Sequence, residues 1–161
     1  MKYLLFAIVS IAVMLTGCAG TPSASGSTAA PVKAPAPDFS GAKGKEWKLI
    51  EVRINNTNTG YNRSSLAQTD AFTLNFHEEN ISGTGAPNRY SAPFTLGEGN
   101  DITIMMVRAT LMAAFLEPDR LKEHDFFGYI QNVYKWNLVN NNLELNSRTN
   151  NGAEILLLFS L

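Results

Sequence analysis

The side chains best suited to bind a ligand stand together at positions 88–90, where the chain reads Asn88-Arg89-Tyr90. They offer an amide, a guanidinium and a phenol directly after residues 83–87, where two glycines and a proline interrupt the chain. Arginine suits planar, bidentate contacts with a carboxylate or a phosphate. We therefore predict that Asn88, Arg89 and Tyr90 are recognition residues, with Arg89 the first among them. The alternative is a structural arginine that donates hydrogen bonds to loop carbonyls.

Tyr61 and Arg63 are two further candidates for recognition. They belong to a long polar stretch, residues 55–70, that shows no hydrophobic periodicity. Long loops in small domains are often functional. The sequence thus predicts a loop over residues 55–70, which either presents Tyr61 and Arg63 to a ligand or is simply solvated.

Two charged clusters have residue types that can perform acid–base or metal chemistry. They are His77-Glu78-Glu79 and Glu123-His124-Asp125. The first is also typical of a charged turn, and the second of the solvated face of a helix. Two histidines and one cysteine in the whole chain leave few ligands for a structural zinc site. The chain has no nucleophile-elbow, zinc-protease, Walker or dinucleotide-binding motif, so we predict no catalytic residue, no metal and no cofactor.

Length and charge narrow the class of protein. A chain of 161 residues favours a single domain. Its net charge of -1 lacks the basic excess with which nucleic-acid-binding proteins neutralise phosphates, so we expect no nucleic-acid partner.

The first residues have the pattern of a bacterial secretion signal. Lys2 supplies the positive charge, and residues 3–15 form an almost wholly apolar core that is short for a transmembrane helix. The core ends at Leu15-Thr16-Gly17-Cys18, which resembles the bacterial lipobox, whose cysteine thiol receives a diacylglyceryl group. We predict a signal peptide over residues 1–17 and lipidation of Cys18. The alternative is an ordinary cleaved signal with a chance cysteine.

Residues 18–43 are predicted to connect this anchor to the folded domain as a disordered tether. After Cys18 they are mainly Ala, Pro, Ser, Gly and Thr, a composition that cannot bury enough apolar surface to offset its ordering entropy. Ala19, rather than aspartate, follows the cysteine, which favours the outer membrane. The sequence predicts a cell-envelope protein, held in a membrane by lipid and facing the periplasm or the cell surface.

Residues 44–161 are predicted to form the folded domain. Alternating apolar residues indicate short strands, with a β-bulge near Leu49-Ile50, where the apolar parity slips by one residue. A helical segment is expected over about 110–131, where Thr110 can cap the first turn. The predicted class is α+β: a curled, partly barrel-like antiparallel sheet of about eight strands with that segment packed on it.

Three further signals place particular strands. Pro93 within residues 89–96 predicts an edge or bulged strand. Asn151-Gly152 predicts a hairpin turn. The nearly all-apolar residues 155–161 predict a final strand that is covered on both sides or closes a barrel.

From about residue 47 to its end, the chain resembles the META domain family, also called HslJ-like, of small envelope lipoproteins. The resemblance rests on the order and spacing of several short motifs: Trp47-Lys48-Leu49, Gly83-Thr84-Gly85, Asn88-Arg89-Tyr90, Thr110-Leu111-Met112-Ala113, Glu123 with Phe126 and Ile130, Leu143-Glu144-Leu145, and Leu157-Leu158-Phe159. It implies an envelope protein associated with stress tolerance, and it implies no reaction.

One pair of positions departs from the family pattern. Family members often carry cysteines where this chain has Pro87 and Ala114. The resemblance implies that these two positions are neighbours in the fold and that this chain lacks the family disulfide.

Together these features favour a lipid-anchored, non-catalytic module of the cell envelope that supports envelope integrity or stress tolerance by binding an envelope protein. One alternative is a carrier that holds a small apolar ligand inside the curled sheet. The other is an envelope enzyme of unknown reaction, with two of its charged residues brought together in a cleft. A deep apolar pocket would favour the carrier, and a filled interior would favour the module.

Replacing the predicted lipidation site tests the anchor. Cys18→Ser should move the protein out of the membrane fraction, because the only thiol of the chain is predicted to carry the acyl chains. Cell fractionation and immunoblotting measure this, with Ser25→Ala as the matched control. If the Cys18→Ser protein stays with membranes as much as the control does, the lipoprotein prediction is wrong.

Overall fold

The structure is a computed structural model in which residues 37–62, 71–112 and 120–161 are described. The predicted signal peptide, Cys18 and most of the predicted tether lie outside these residues, as do Arg63 and Ala114. The inferred proximity of Pro87 and Ala114 therefore stays a prediction.

The described residues form ten strands, one α-helix and one short 3-10 helix. The strands are β1 (Glu46–Ile54), β2 (Thr57–Asn62), β3 (Thr73–Phe76), β4 (Asn80–Gly85), β5 (Asn88–Leu96), β6 (Ile102–Ile104), β7 (Arg108–Ala109), β8 (Val133–Val139), β9 (Asn142–Arg148) and β10 (Glu154–Ser160). The helix α1 spans Glu123–Gln131, and the 3-10 helix spans Phe39–Ala42.

The strands pair antiparallel in the order β6-β5-β4-β3-β1-β10-β9-β8, with β2 added to β1 and β7 added to β5. The two ends of this curled sheet meet at Asn100, whose side-chain amide donates to the carbonyl of Trp136 at 2.8 Å. The Trp136 N–H in turn donates to the Asn100 carbonyl at 3.0 Å. The sheet is therefore a nearly closed barrel with one helix, and the predicted α+β class is confirmed.

The register of β1 confirms the predicted bulge. Leu49 pairs with Phe159 and Glu51 with Leu158, so Ile50 is the extra residue between them. The final strand, β10, lies between β1 and β9, in agreement with its continuous apolar sequence.

The prediction that β5 is an edge or bulged strand is wrong. Strand β4 pairs with one side of β5 without a register shift, and β6 and β7 pair with the other side. Pro93 is tolerated there because β7 pairs with Tyr90 and Ser91, whereas β6 pairs from Phe94 onward. The proline falls in the gap between these two partners, where its missing N–H interrupts neither ladder.

The predicted loop over residues 55–70 is wrong for its first part. Asn55 and Asn56 both have positive φ, 49° and 64°, and make a tight turn that returns the chain as β2 alongside β1. Asparagine tolerates this left-handed conformation, so two adjacent asparagines suit a hairpin of this kind.

The helix is shorter than predicted and begins at Glu123. Residues 110–112 are not helical, and residues 113–119 lie outside the described part of the chain. The Thr110 hydroxyl bonds to Asn88 and Arg89 on β5, so it is not available to cap a helical turn.

The packed domain begins before the predicted residue 44. Phe39, in the 3-10 helix, is buried against Trp136 and Phe76, with ring centroids 4.7 and 4.9 Å away. The Trp47 indole N–H donates to the carbonyl of Ala42 at 2.8 Å and fixes this helix to β1. A single aromatic residue in a Pro- and Ala-rich stretch gives no periodic signal, which is why the sequence pattern missed it.

Large apolar side chains occupy the interior of the barrel. Those almost completely buried include Trp47, Trp136, Phe72, Phe76, Phe126 and Phe159. This packing gives no support to a ligand carrier with a cavity inside the sheet.

The position of Phe39 generates a stability prediction. Phe39→Ala should lower the free energy of unfolding by roughly 3–5 kcal/mol, because it removes a ring from a closely packed aromatic cluster. Urea denaturation of this variant and of Val139→Ala, which truncates an exposed side chain, gives the comparison. Equal stability of the two variants would show that the domain does not depend on the 3-10 helix.

Candidate functional site

The Asn88-Arg89-Tyr90 motif lies at the start of β5, and strand alternation divides its side chains between two faces. Asn88 and Tyr90 point into the protein and are each 3% exposed. Arg89, between them, is exposed on the outer face. The three candidates therefore have different roles.

Asn88 fastens two neighbouring segments to β5. Its side-chain oxygen accepts hydrogen bonds from the Thr110 hydroxyl and the Met112 N–H, both at 2.7 Å. Its side-chain nitrogen donates to the Met112 carbonyl at 3.1 Å, and its backbone N–H donates to the Glu123 carboxylate at 3.2 Å. Because the oxygen and the nitrogen of its buried side-chain amide are both hydrogen-bonded within the protein, Asn88 is a structural residue.

Tyr90 is also structural. Its hydroxyl donates to the Thr73 carbonyl on β3 at 2.8 Å, and burial raises the pKa of the phenol. Its ring packs edge-on against Phe126 of α1, with centroids 5.7 Å apart. Tyr90 thereby joins β5, β3 and the helix.

Gly83 is required for this arrangement. It lies opposite Tyr90 on β4, and a Cβ at position 83 would lie 2.1 Å from the Thr73 carbonyl oxygen and 2.9 Å from the tyrosine ring. Only glycine leaves room for the phenol to pass over β4 to Thr73. This close approach accounts for the first glycine of the stretch that precedes the motif.

The phenol changes the bonding between β3 and β4. Because Tyr90 occupies the Thr73 carbonyl, the Thr84 N–H donates to the Thr73 hydroxyl at 3.0 Å. The Thr73 and Thr84 hydroxyl oxygens are also 3.0 Å apart. Two hydroxyl groups are thus held close to Arg89, which pairs with Thr84 across the strands.

Arg89 lines an open groove of about 410 Å³ on this face. The other lining residues belong to four strands: Glu46 of β1, Thr73 and Asn75 of β3, Ser82, Gly83 and Thr84 of β4, and Tyr90 of β5. We call it the Arg89 groove. Among the described residues, the Arg89 guanidinium makes no hydrogen bond or ion pair.

Asn75 provides a second unsatisfied group in the Arg89 groove. Its side-chain oxygen is buried and has no hydrogen-bond partner within the described part of the chain. A buried acceptor without a donor costs free energy, so an N–H or O–H from a ligand would be favourable there. The groove thus combines an available cation with an acceptor that needs a donor.

Strand register places a carboxylate at the other side of the groove. Glu46 pairs with Asn75, Asn75 with Ser82, and Thr84 with Arg89. Glu46 and Arg89 therefore lie on strands that are three spacings apart, roughly 14 Å across the sheet, and Arg89 is displaced by two further residues along its strand. Opposite charges at this separation favour a ligand that carries both an anionic group and hydrogen-bond donors.

Tyr61 does not belong to the site. It is buried and packs edge-on against Phe72, with ring centroids 5.8 Å apart. The structure gives no support to its prediction as a recognition residue, because it lies on strand β2 and contributes to the core. Arg63 lies outside the described residues and stays a prediction.

The two charged clusters are separate and exposed. His77 bonds to the Ser82 hydroxyl at 2.8 Å, and Glu78 forms an ion pair with Lys43 at 2.8 Å that lowers the pKa of the carboxyl. The His124 ring and the Asp125 carboxylate are 3.5 Å apart on the surface of α1. Within residues 37–62, 71–112 and 120–161, no cluster of three or more metal-ligating side chains is found.

Sequence reasoning missed five polar groove residues: Glu46, Thr73, Asn75, Ser82 and Thr84. They are ordinary polar residues on strands, and the strand register is what brings them beside Arg89. Polar and apolar alternation could have placed them on the outer face, but it does not show which strands are neighbours.

In the described part of the chain, no helix has the length and apolar character needed to cross a membrane. A family model described as META domain matches residues 40–158. No curated protein shows a significant match to the chain.

Two solved structures have a similar fold. An NMR structure of a protein from Burkholderia xenovorans is 19% identical, with a TM-score of 0.52, over 80% of this chain and 94% of that one. A crystal structure of a DUF4847 family protein from Bacteroides vulgatus is 11% identical, also with a TM-score of 0.52, over 74% of this chain and 93% of that one. At these identities the likeness concerns the fold alone.

The Tyr90 hydroxyl can be tested by removal. Tyr90→Phe should lower the free energy of unfolding by about 1–3 kcal/mol, because the buried Thr73 carbonyl loses its donor. The matched control is Tyr134→Phe, which removes a hydroxyl bonded to Glu154 at the surface and should have a much smaller effect. Equal losses in chemical denaturation would contradict the structural role of Tyr90.

Proposed function

Because this chain belongs to the META domain family, whose members are domains of the cell-envelope type, we propose that it is a lipid-anchored, non-catalytic envelope module that binds a partner protein through the Arg89 groove. Such binding would support envelope integrity or stress tolerance. The lipid on Cys18 would hold the domain at a membrane, and Ala19 favours the outer membrane.

The observation that carries this proposal is the state of Arg89. A structural arginine would donate to nearby carbonyls, whereas the described residues provide no partner for this guanidinium. Its two neighbours in the motif are buried and fully engaged, so the backbone that carries Arg89 is held firmly. Because the strand is already fixed, binding through Arg89 orders the side chain but little of the backbone.

The chemistry of the groove favours a protein segment as the ligand. Arg89 can bind both oxygens of a carboxylate, and the Asn75 oxygen can accept an N–H from a peptide or a side-chain amide. Glu46 lines the same groove and would repel a polyanion. A segment with one acidic side chain and free N–H groups satisfies all three residues.

The absence of catalysis remains a prediction. An enzyme would need two or more of its charged side chains in one cleft with perturbed pKa values. The two clusters with suitable residue types, at His77 and at His124, are instead exposed and make ordinary surface contacts.

Partner capture in intact cells tests the role of Arg89. Chemical crosslinking followed by mass spectrometry should recover an envelope protein with the wild-type chain. Arg89→Ala should reduce that product at least tenfold, and Arg89→Lys should reduce it as well, because lysine cannot make the bidentate contact. The matched control is Arg148→Ala, which removes an exposed arginine that pairs with Glu154 away from the groove.

Stability measurements separate recognition from structure. Both Arg89 variants should unfold at the same denaturant concentration as the wild type. If Arg89→Lys loses a few kcal/mol of stability, Arg89 is a structural residue and the proposal fails. It also fails if the captured proteins are the same for the wild type and Arg89→Ala.

A further inference from the structure

Residues 105–112 carry four large apolar side chains that face solvent. Met105 is 47% exposed, Met106 70%, Leu111 99% and Met112 55%. The other exposed large apolar residues among those described stand apart from one another in the sequence, at Leu96, Val139 and Leu161. Exposed large apolar side chains this close together in the chain are candidates for an interaction surface. We call these four side chains the methionine–leucine patch.

Hydrogen bonds hold the backbone of this patch in place. Met105 donates its N–H to the Pro93 carbonyl at 2.9 Å, and Val107 donates to the side chain of Gln131 at 3.3 Å. At the other end, Met112 is fixed to the buried amide of Asn88. The apolar side chains therefore project from a segment that is pinned at both ends and not from a loose tail.

Among the described residues, the charged side chains exposed beside the patch are positive. Arg108 is exposed between the two apolar pairs, and it pairs across the strands with Ser91, two residues from Arg89. Arg89 and Arg108 are therefore close neighbours on one face. Glu123, the acidic residue that contacts this region, is bonded to the Asn88 N–H. Apolar side chains flanked by arginines match the boundary between acyl chains and anionic headgroups.

We propose that the methionine–leucine patch docks on an anionic lipid bilayer. Met106 and Leu111 enter the headgroup region, and Arg108 binds lipid phosphates. A lipid anchor on Cys18 would keep the domain near the bilayer, so a weak surface interaction would be enough to orient it. The docking itself does not depend on that anchor or on a partner in the Arg89 groove, and its test omits both.

Vesicle sedimentation measures the docking directly. The chain from Ala19 onward retains every residue of the described domain and lacks the predicted anchor. At low salt it should bind phosphatidylglycerol vesicles more strongly than phosphatidylcholine vesicles. Combined Met106→Ser and Leu111→Ser should weaken binding about tenfold. Arg108→Ala should weaken binding to phosphatidylglycerol about fivefold and have little effect on phosphatidylcholine.

Val139→Ser is the matched control, since it removes an exposed apolar side chain of β8 and should leave vesicle binding unchanged. A second readout uses variants with a single introduced cysteine. The shortened protein has no cysteine of its own, because it begins after Cys18, the only cysteine of the sequence. A polarity-sensitive dye on Met106→Cys should shift to shorter wavelength with phosphatidylglycerol vesicles. The same dye on Val139→Cys should not.

Three results would overturn the docking proposal. The first is no binding of the wild-type chain to phosphatidylglycerol vesicles. The second is binding that the double serine variant retains while its melting temperature matches the wild type. The third is a concentration-dependent dimer that the same substitutions abolish, which would make a second copy of the chain the occupant of the patch. A chain that binds vesicles but captures no partner through Arg89 would leave the docking intact and refute the proposed function alone.

Discussion

The buried amide of Asn88 is the contact on which the functional face depends. It binds the backbone of Met112 from both of its ends and the Thr110 hydroxyl, while its own N–H reaches the carboxylate at the start of α1. A buried amide with all these partners is worth more than isolated hydrogen bonds, since the loss of one group would leave several others unpaired. The helix α1, residues 110–112 and strand β5 are therefore positioned relative to one another by this side chain.

Arg89 and Tyr90, the next residues along β5, line the groove on this fixed backbone. Alternation sends Arg89 outward, and the inward phenol of Tyr90 crosses Gly83 to reach Thr73. The groove lies over this part of β3 and β4, where the Thr84 N–H bonds to the Thr73 hydroxyl. The same anchoring that presents Arg89 also presents the apolar side chains of residues 105–112. Recognition of a partner and orientation at a membrane would thus use adjacent parts of one face of the barrel.

Much of the architecture could be predicted from the sequence because it follows from local patterns. Alternation of apolar residues indicated most strands, and the slip of parity in β1 indicated the bulge at Ile50. The features that the sequence did not predict depend on contacts between residues far apart in the chain. Phe39 has no regularly spaced apolar residues around it in the sequence. It is buried because it packs against Phe76 and Trp136, which are far from it in the chain. Pro93 suggested an edge strand, since nothing local shows that two short strands share one side of β5.

The candidate site could likewise be predicted only in part, because some of its residues are brought together by pairing between strands far apart in the chain. Arg89 could be chosen from its type and its position after a chain break, but its neighbours Asn88 and Tyr90 have the same polar character and opposite roles. Asn75 and Glu46 become part of the groove only through the strand register.

Site-specific photocrosslinking in intact cells tests the central claim most directly. A photoreactive residue at Ser91, which is exposed beside the groove, should capture one envelope protein, and Arg89→Ala should abolish the product. The same group at Asn150, on the β9–β10 turn and not among the groove residues, should not capture it. Identical products from both positions, or a Ser91 product that persists without Arg89, would contradict the account.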